Sequence, residues 1–135
     1  MKQLDSYFEK HKDKGILILR IFLGSRLLFG VVDNVLSWRS MIEFSEFLAS
    51  FHFPIPVMSA VMSVYAQFIC AFMILTGFHV RIASIFMILN FLIALTFVHF
   101  ANGDSIEQMT PAFAMLFGSM TLLFTGAGRK FSISE

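Results

Sequence analysis

The feature that most constrains this chain is the apolar stretch from Gly15 to Leu36, which carries Arg20, Arg26 and Asp33. About 20 apolar residues in a helix match the roughly 30 Å hydrocarbon core of a bilayer. An ionisable side chain near the middle of such a helix costs about 2.5–3.5 kcal/mol on insertion scales, so it usually faces the interior of a helix bundle. The stretch therefore predicts a membrane span whose arginines need partners from other helices.

The two arginines lie at different depths in this span. Arg20 is about 7–8 Å from the start of the helix at 1.5 Å per residue, and a long basic side chain at that depth can reach back to the surface. Arg26 lies about twice as deep. We expect Arg20 to be an anchor at the cytoplasmic face and Arg26 to be the centre of a polar layer inside the protein.

The composition favours a protein with several spans. Hydrophobic residues make up 57% of the 135 residues and charged residues only 14%, whereas soluble domains average about 25% charged residues. A net charge of +1 gives no argument for nucleic-acid binding. The single cysteine, Cys70, excludes an intrachain disulfide and a cysteine-based metal cluster. Since the other candidate ligands are scattered, we expect no metal site and no intrinsic cofactor.

Hydropathy and turn residues divide the chain into four predicted spans. A proline in the first turn marks the start of the second span, and Gly77 marks its end. The predicted fold is all-α: an integral membrane four-helix bundle forming one domain, residues 1–135. Its spans are about 15–36, 56–76, 82–100 and 111–125.

Two further segments have amphipathic spacing. Leu4, Tyr7 and Phe8 share one helical face of the basic N-terminus, which indicates an interfacial helix on an anionic leaflet or a basic tail that only sets topology. Residues 37–54 resemble a second interfacial segment between spans one and two, with Trp38 at the membrane boundary.

The distribution of basic residues predicts the orientation. In a four-span arrangement the two termini and the turn at Arg81 share one side and hold seven lysines and arginines, whereas the opposite side holds Arg39 alone. The positive-inside rule then places both termini in the cytoplasm and the protein in the cytoplasmic (inner) membrane.

A polar residue occurs at a similar depth in each span, within about 5 Å of one level. The predicted ligand site consists of Arg26, Gln67, Asn90, Ser119 and Thr121, with Asp33 one layer further out. These residues either satisfy one another and fasten the bundle, or they bind a small anion or a carbonyl-bearing ligand such as a quinone, to which a guanidinium offers a rigid fork of donors.

His99 is considered separately from this layer. It follows Asn90 by nine residues, about 900° in helical phase, and so cannot share the face of Asn90 in a regular helix. We expect an interfacial histidine; the alternative is a proton relay with Asp33 or Glu107.

Four segments together resemble the DoxX family of small four-span membrane proteins. They are RIFLG at 20–24, FPIP at 53–56, LTGFHVRIA at 75–83 and GAGRKFSIS at 126–134. In that family a glutamate commonly stands ten residues before the glycine that ends span two, where this chain has Gln67. A neutral amide can form hydrogen bonds but cannot exchange a proton as a carboxylate does.

The resemblance implies three kinds of function. Some family members are similar to subunits of thiosulfate:quinone oxidoreductases or of oxidative-stress complexes, so we expect a membrane subunit of a redox-linked complex that interacts with quinone. More distant relatives imply a non-catalytic assembly or scaffold module. A small-solute transporter is a third reading, which dimerisation would favour. The expected partners are the bilayer, other subunits of such a complex and a second copy of the chain.

Overall fold

The computed structural model describes residues 1–133 and confirms an all-helical fold over that range. It contains six α-helices and one π-helical turn. They are α1 (Lys2–Lys10), α2 (Lys12–Leu36), α3 (Trp38–Ser50), α4 (Pro56–Thr76), α5 (Val80–Ala94), the π turn (Leu95–His99) and α6 (Ile106–Thr125).

Within the described residues, three helical stretches are long and apolar enough to cross a membrane. These stretches are Lys12–Leu36, Pro56–Thr76 and Val80–Asn102, and they contain three of the predicted spans. Their outer faces are apolar, and Phe29, for example, is 80% exposed. The helices therefore imply contact with a lipid bilayer. The fourth span, 111–125, stays a prediction because α6 is not among these stretches, and Glu107 and Gln108 in its first turn reduce its hydropathy.

Local residues explain where the helices begin and end. The Ser37 side chain accepts a hydrogen bond from the Ser40 amide at the start of α3. A capping box between Ser105 and Gln108 starts α6 five residues before the predicted span. Gly77 ends α4 with φ +77°, a left-handed conformation that glycine adopts without a Cβ clash.

Hydrogen bonds and packing distinguish two ends of the molecule. We use "termini end" for the start of α2, the α4–α5 turn at residues 77–79 and residues 126–133. We use "loop end" for α3, residues 51–55 and the loop at residues 100–105. Near the middle of both helices α2 and α6 approach closely: a Cβ on Gly118 would lie 2.8 Å from Leu23 Cδ2.

The largest core lies between the four long helices on the side of the termini end. It includes Leu23 and Leu27 of α2, Ile74 of α4, Met87 of α5 and Leu122 of α6, each at most 2% exposed. A second core joins α2, α3 and α4, and a third joins the π turn to α6. This packing holds the helices around the two arginines of α2.

Candidate functional site

Arg20 is completely buried at the termini end and each of its guanidinium nitrogens donates hydrogen bonds. Its acceptors are five backbone carbonyl oxygens from two different parts of the chain. Nε donates to Ile74 (2.9 Å), Nη1 to Ala127 (3.0 Å) and Lys130 (2.8 Å), and Nη2 to Leu75 (2.9 Å) and Phe131 (2.7 Å).

These carbonyls explain how a guanidinium is buried without a carboxylate partner among residues 1–133. The last four carbonyls of a helix have no partner within it, and the helix dipole makes that end attractive to a cation. Ile74 and Leu75 belong to the last turn of α4. The expectation that Arg20 reaches the surface as an anchor is therefore wrong: its side chain runs toward the termini end but stops on carbonyls inside the protein.

The segment after α6 is held by further bonds beside Arg20. The Ile133 amide donates to Thr76 O (3.0 Å), and Ser132 Oγ donates to Gly77 O (3.2 Å). Residues 127–133 thus form a C-terminal strap that crosses the end of α4. We use this name for those residues below.

Arg26, six residues further along α2, has a different environment. It is exposed and lines a cavity of about 290 Å³ that lies between α2, α4, the π turn and α6. Its guanidinium lies close to Gly30, since a Cβ on that residue would be 3.0 Å from Arg26 Nη1. Within residues 1–133, Arg26 forms neither a hydrogen bond nor an ion pair. Its donors therefore have no protein acceptor among these residues.

The lining of this cavity, which we call the Arg26 cavity, combines four polar residues with six others. Its polar residues are Arg26, Gln67, His99 and Gln108. Its other residues are Leu27, Gly30, Phe91, Pro111, Ala112 and Met115. Since no carboxylate is among them, Arg26 gives the cavity a positive charge.

Gln67 and Asn90 are connected through a residue of α4. Gln67 Nε2 donates to Ser63 Oγ (3.2 Å), and Ser63 Oγ donates to Asn90 Oδ1 (2.8 Å). Gln67 lines the Arg26 cavity, whereas Asn90 does not. The chain of bonds joins α4 to α5 and holds the Gln67 amide in place at the cavity wall.

Four other candidate residues lie away from the cavity wall. Asp33 and Glu107 are exposed, and Thr121 is exposed with its hydroxyl donating to Phe117 O (3.0 Å). Ser119 is buried at 1% exposure, and its hydroxyl has no hydrogen-bond partner among the described residues. The structure thus places Arg26 and Gln67 together and leaves these four outside the lining.

The π turn changes the direction of His99. A π turn contains more residues than an α-helical turn, so the side chains that follow it are rotated from the positions that regular periodicity predicts. His99 consequently lines the same cavity as Arg26. Its partner is Asp104, with His99 Nδ1 2.8 Å from Asp104 Oδ2, rather than Asp33 or Glu107.

Asp104 is the acceptor of a small network in the α5–α6 loop. Asn102 Nδ2 donates to its Oδ1 at 2.7 Å, and the Asp104 amide donates to His99 O at 3.1 Å. The hydrogen bond from His99, with a smaller contribution from Asn102, lowers the pKa of the Asp104 carboxyl below its usual value. The pair therefore contains an ionised carboxylate at neutral pH.

Two residues of this region, Asp104 and Gln108, were not predicted from the sequence. The residues SIEQ at 105–108 match a capping box, which places Gln108 in the first turn of a helix. Its side chain reaches back to the Ser105 amide. Asp104 had no such signal, because its role depends on the π turn before it. Among residues 1–133 no group of three or more His, Cys, Asp or Glu side chains could hold a metal ion.

The three apolar helices and the internal polar cavity define a multi-pass membrane protein. The chain belongs to the DoxX family, whose family model matches residues 15–100. This range contains Arg26, Gln67 and His99, whereas Asp104 and Gln108 follow it. No curated protein and no solved structure matches the chain.

Proposed function

We propose that this protein is a four-span subunit of a redox-linked complex in the cytoplasmic membrane and that it binds a quinone head group in the Arg26 cavity. One observation carries the ligand site: a guanidinium in the middle of an apolar helix lines a cavity and has no protein acceptor among the described residues. An unpaired cation inside a membrane protein is costly. A ligand oxygen that accepts from Arg26 would remove that cost.

The chemistry of the lining favours a carbonyl-bearing ring. The Arg26 guanidinium and the amide side chains of Gln67 and Gln108 supply donors for oxygen, while Phe91 and Met115 supply apolar contacts for a flat ring. Ligand pockets usually measure about 300–1,000 Å³. A cavity of about 290 Å³ is at the small end of that range and suits a head group rather than a whole lipid.

Two observations support the fourth span and the bundle. α6 runs from the loop end to the termini end beside α5, and its 20 residues correspond to about 30 Å. That length equals the usual thickness of a hydrocarbon core. Glu107, the charged residue of α6, and Gln108 lie in its first turn, which would be at the membrane boundary.

The arrangement of charges supports both termini in the cytoplasm. Basic residues cluster at the termini end, whereas the loop end contains Arg39 beside Glu43. α1 buries none of its residues and exposes Leu4, Tyr7 and Phe8, as expected for a helix lying on the membrane surface. α3 buries Met41 and Leu48 and exposes Trp38, in agreement with a second interfacial helix.

The redox role is supported by membership of the DoxX family and by the resemblance to quinone-linked subunits. The test is quinone binding to the purified protein in detergent, measured as a thermal shift and by equilibrium dialysis. Arg26→Leu is expected to weaken binding by about tenfold or more, because a hydrogen bond to a charged group contributes about 1.5–3 kcal/mol.

Arg39→Leu is the matched control, since Arg39 is exposed at the loop end and forms only a surface pair with Glu43. Equal quinone binding by wild type, Arg26→Leu and Arg39→Leu would exclude the Arg26 cavity as the site. An absence of any quinone-dependent shift in the wild type would exclude the quinone function. Stable co-purification with partner proteins and full tolerance of Arg26→Leu would then favour the assembly module.

A further inference from the structure

We infer that the His99–Asp104 pair makes the Arg26 cavity selective for the reduced, hydroxyl-bearing form of its ligand, the quinol. In this inference His99 Nε2 accepts a hydrogen bond from a ligand hydroxyl, and Asp104 is a positioning residue that acts through His99. The inference rests on the proposed function, because it assigns the preferred redox form of the same ligand.

The first step concerns the placement of His99. The π turn is defined by the bond from the Phe100 amide to Leu95 O (2.9 Å), and it buries Leu95. Phe97 of this turn packs edge-on against Phe53 with ring centroids 6.3 Å apart. The turn is thus held by packing from the segment between α3 and α4, and it keeps His99 in the cavity wall.

The second step concerns which ring nitrogen carries the proton. An ionised carboxylate only accepts hydrogen bonds, so the 2.8 Å contact with Asp104 requires the hydrogen on His99 Nδ1. In the neutral ring Nε2 is then an acceptor. Within residues 1–133 it has no hydrogen-bond partner, and it remains for a group that enters the cavity.

The third step concerns Gln108, which offers a hydrogen-bond donor where His99 Nε2 offers an acceptor. Its Oε1 accepts from the Ser105 amide at 2.8 Å in the capping box, so its Nε2 is the atom left as a donor. Arg26 is likewise only a donor. The cavity therefore offers two fixed donors and, at His99 Nε2, an acceptor. Gln67, whose Nε2 donates to Ser63, adds its Oε1 as a second acceptor.

A quinol and a quinone differ in how they match this set. Both have oxygens that accept from Arg26 or Gln108, but only the quinol has a hydroxyl to donate to neutral His99. A quinone carbonyl facing Nε2 would place two acceptors against each other and leave both unsatisfied, which lowers the affinity. The quinol should bind about tenfold more tightly while His99 is neutral.

The experiment compares the binding of a short-chain benzoquinone and of its quinol, kept under argon, to the full chain in detergent at pH 8. The variants are His99→Phe, which keeps a ring without nitrogen, and Asp104→Asn. Glu107→Gln is the control because it removes a nearby carboxylate that does not line the cavity.

At pH 8 the wild type and Glu107→Gln are expected to favour quinol about tenfold. His99→Phe should lower this preference. Asp104→Asn should lower it as well, because a neutral amide can either accept from or donate to Nδ1 and no longer fixes the hydrogen there. A purely structural role for Asp104 would weaken the binding of both forms equally and leave the preference unchanged.

Two outcomes separate this inference from the proposed function. If the wild type binds both forms with equal affinity at pH 8 and Arg26→Leu abolishes both, the quinone site stands and the role of His99 is overturned. If the wild type binds neither form, the proposed function is overturned and this inference fails with it. An unchanged quinol preference in His99→Phe would also overturn the inference.

Discussion

Arg20 and Arg26 lie six residues apart on the same helix, yet their guanidinium groups have opposite environments. Arg20 is buried at the termini end and donates to five carbonyl oxygens. Arg26 lines a cavity and donates to no acceptor within residues 1–133. The difference arises from what surrounds each position. The end of α4 and the C-terminal strap surround Arg20, whereas Arg26 lies beside Gly30 at the cavity.

This comparison distinguishes two arginines of one span: all guanidinium nitrogens of Arg20 are bonded to backbone carbonyls, whereas the donors of Arg26 are unused within residues 1–133. A guanidinium whose donors are all used by backbone carbonyls fixes the positions of those carbonyls and has no capacity for a ligand. A guanidinium with free donors contributes little to stability and is available for binding. Three predictions test this separation.

The largest effect is expected for the pair Arg20→Leu and Arg26→Leu. Arg20→Leu leaves five carbonyls without their donor and should lower the free energy of unfolding by about 3–5 kcal/mol, the range found when one partner of a buried charged pair is removed. Arg26→Leu should change it by less than about 1 kcal/mol, because no bond is lost. Unfolding of the purified protein by heat and by denaturing detergent measures both values; similar losses for the two variants would remove the distinction.

A smaller effect is expected for alanine at the glycine beside each arginine. At Gly77, with φ +77°, a Cβ would lie 2.7 Å from Arg20 Nη2 and from Ser132 Cα. Gly77→Ala should therefore cost at least about 1–2 kcal/mol of stability from the left-handed backbone alone. Gly30→Ala meets only the end of the Arg26 side chain, which can move.

The two glycine variants are compared by unfolding and by quinone binding. Gly77→Ala should lose stability and keep the binding of the fraction that stays folded. Gly30→Ala should keep stability and alter binding by moving the guanidinium. The comparison fails if Gly30→Ala is the less stable of the two.

The smallest effect concerns pH. The lowered pKa of Asp104 means that the folded state favours its carboxylate, so the pair with His99 stabilises the fold at pH values above the ordinary aspartate pKa of about 3.9. This contribution is lost as the pH falls below that value through the lower pKa of the folded state. The Arg20 bonds should not change in this range, because backbone carbonyls do not titrate.

A pH series of unfolding temperatures checks this prediction. The wild type should lose stability on acidification below about pH 4, and Asp104→Asn should lose less over the same interval. An equal decrease in both proteins would show that other carboxyl groups account for the acid sensitivity.

Hydropathy and turn residues predicted much of the fold. Three spans, the proline at the start of α4 and the glycine at its end were visible because each is a local property of the sequence. The start of α6 was visible in SIEQ at 105–108 but was placed at Pro111, since the apolar run begins there. The place of His99 in the cavity wall was not predicted, because periodicity assumes a regular helix and the π turn has no local signature here.

The site was predictable only in part. Depth along the spans placed Arg26 and Gln67 at one level, and both line the cavity. Depth does not determine helical rotation, and Ser119 and Thr121 lie elsewhere. The environment of Arg20 was beyond prediction because its acceptors are backbone atoms of residues 74–75 and 127–131, and any sequence supplies carbonyls.

The bonds of Arg20 also have a consequence for the order in which the protein is made. Three of its acceptors lie 107 to 111 residues later in the chain. At about 5–20 residues per second, translation takes about 5–20 s to reach them after Arg20 is synthesised. During that interval the first span, α2, enters the bilayer while the Arg20 guanidinium still lacks three of its five acceptors. The newly inserted span should therefore stay near the water boundary or under the protection of the insertion machinery until the strap emerges from the ribosome.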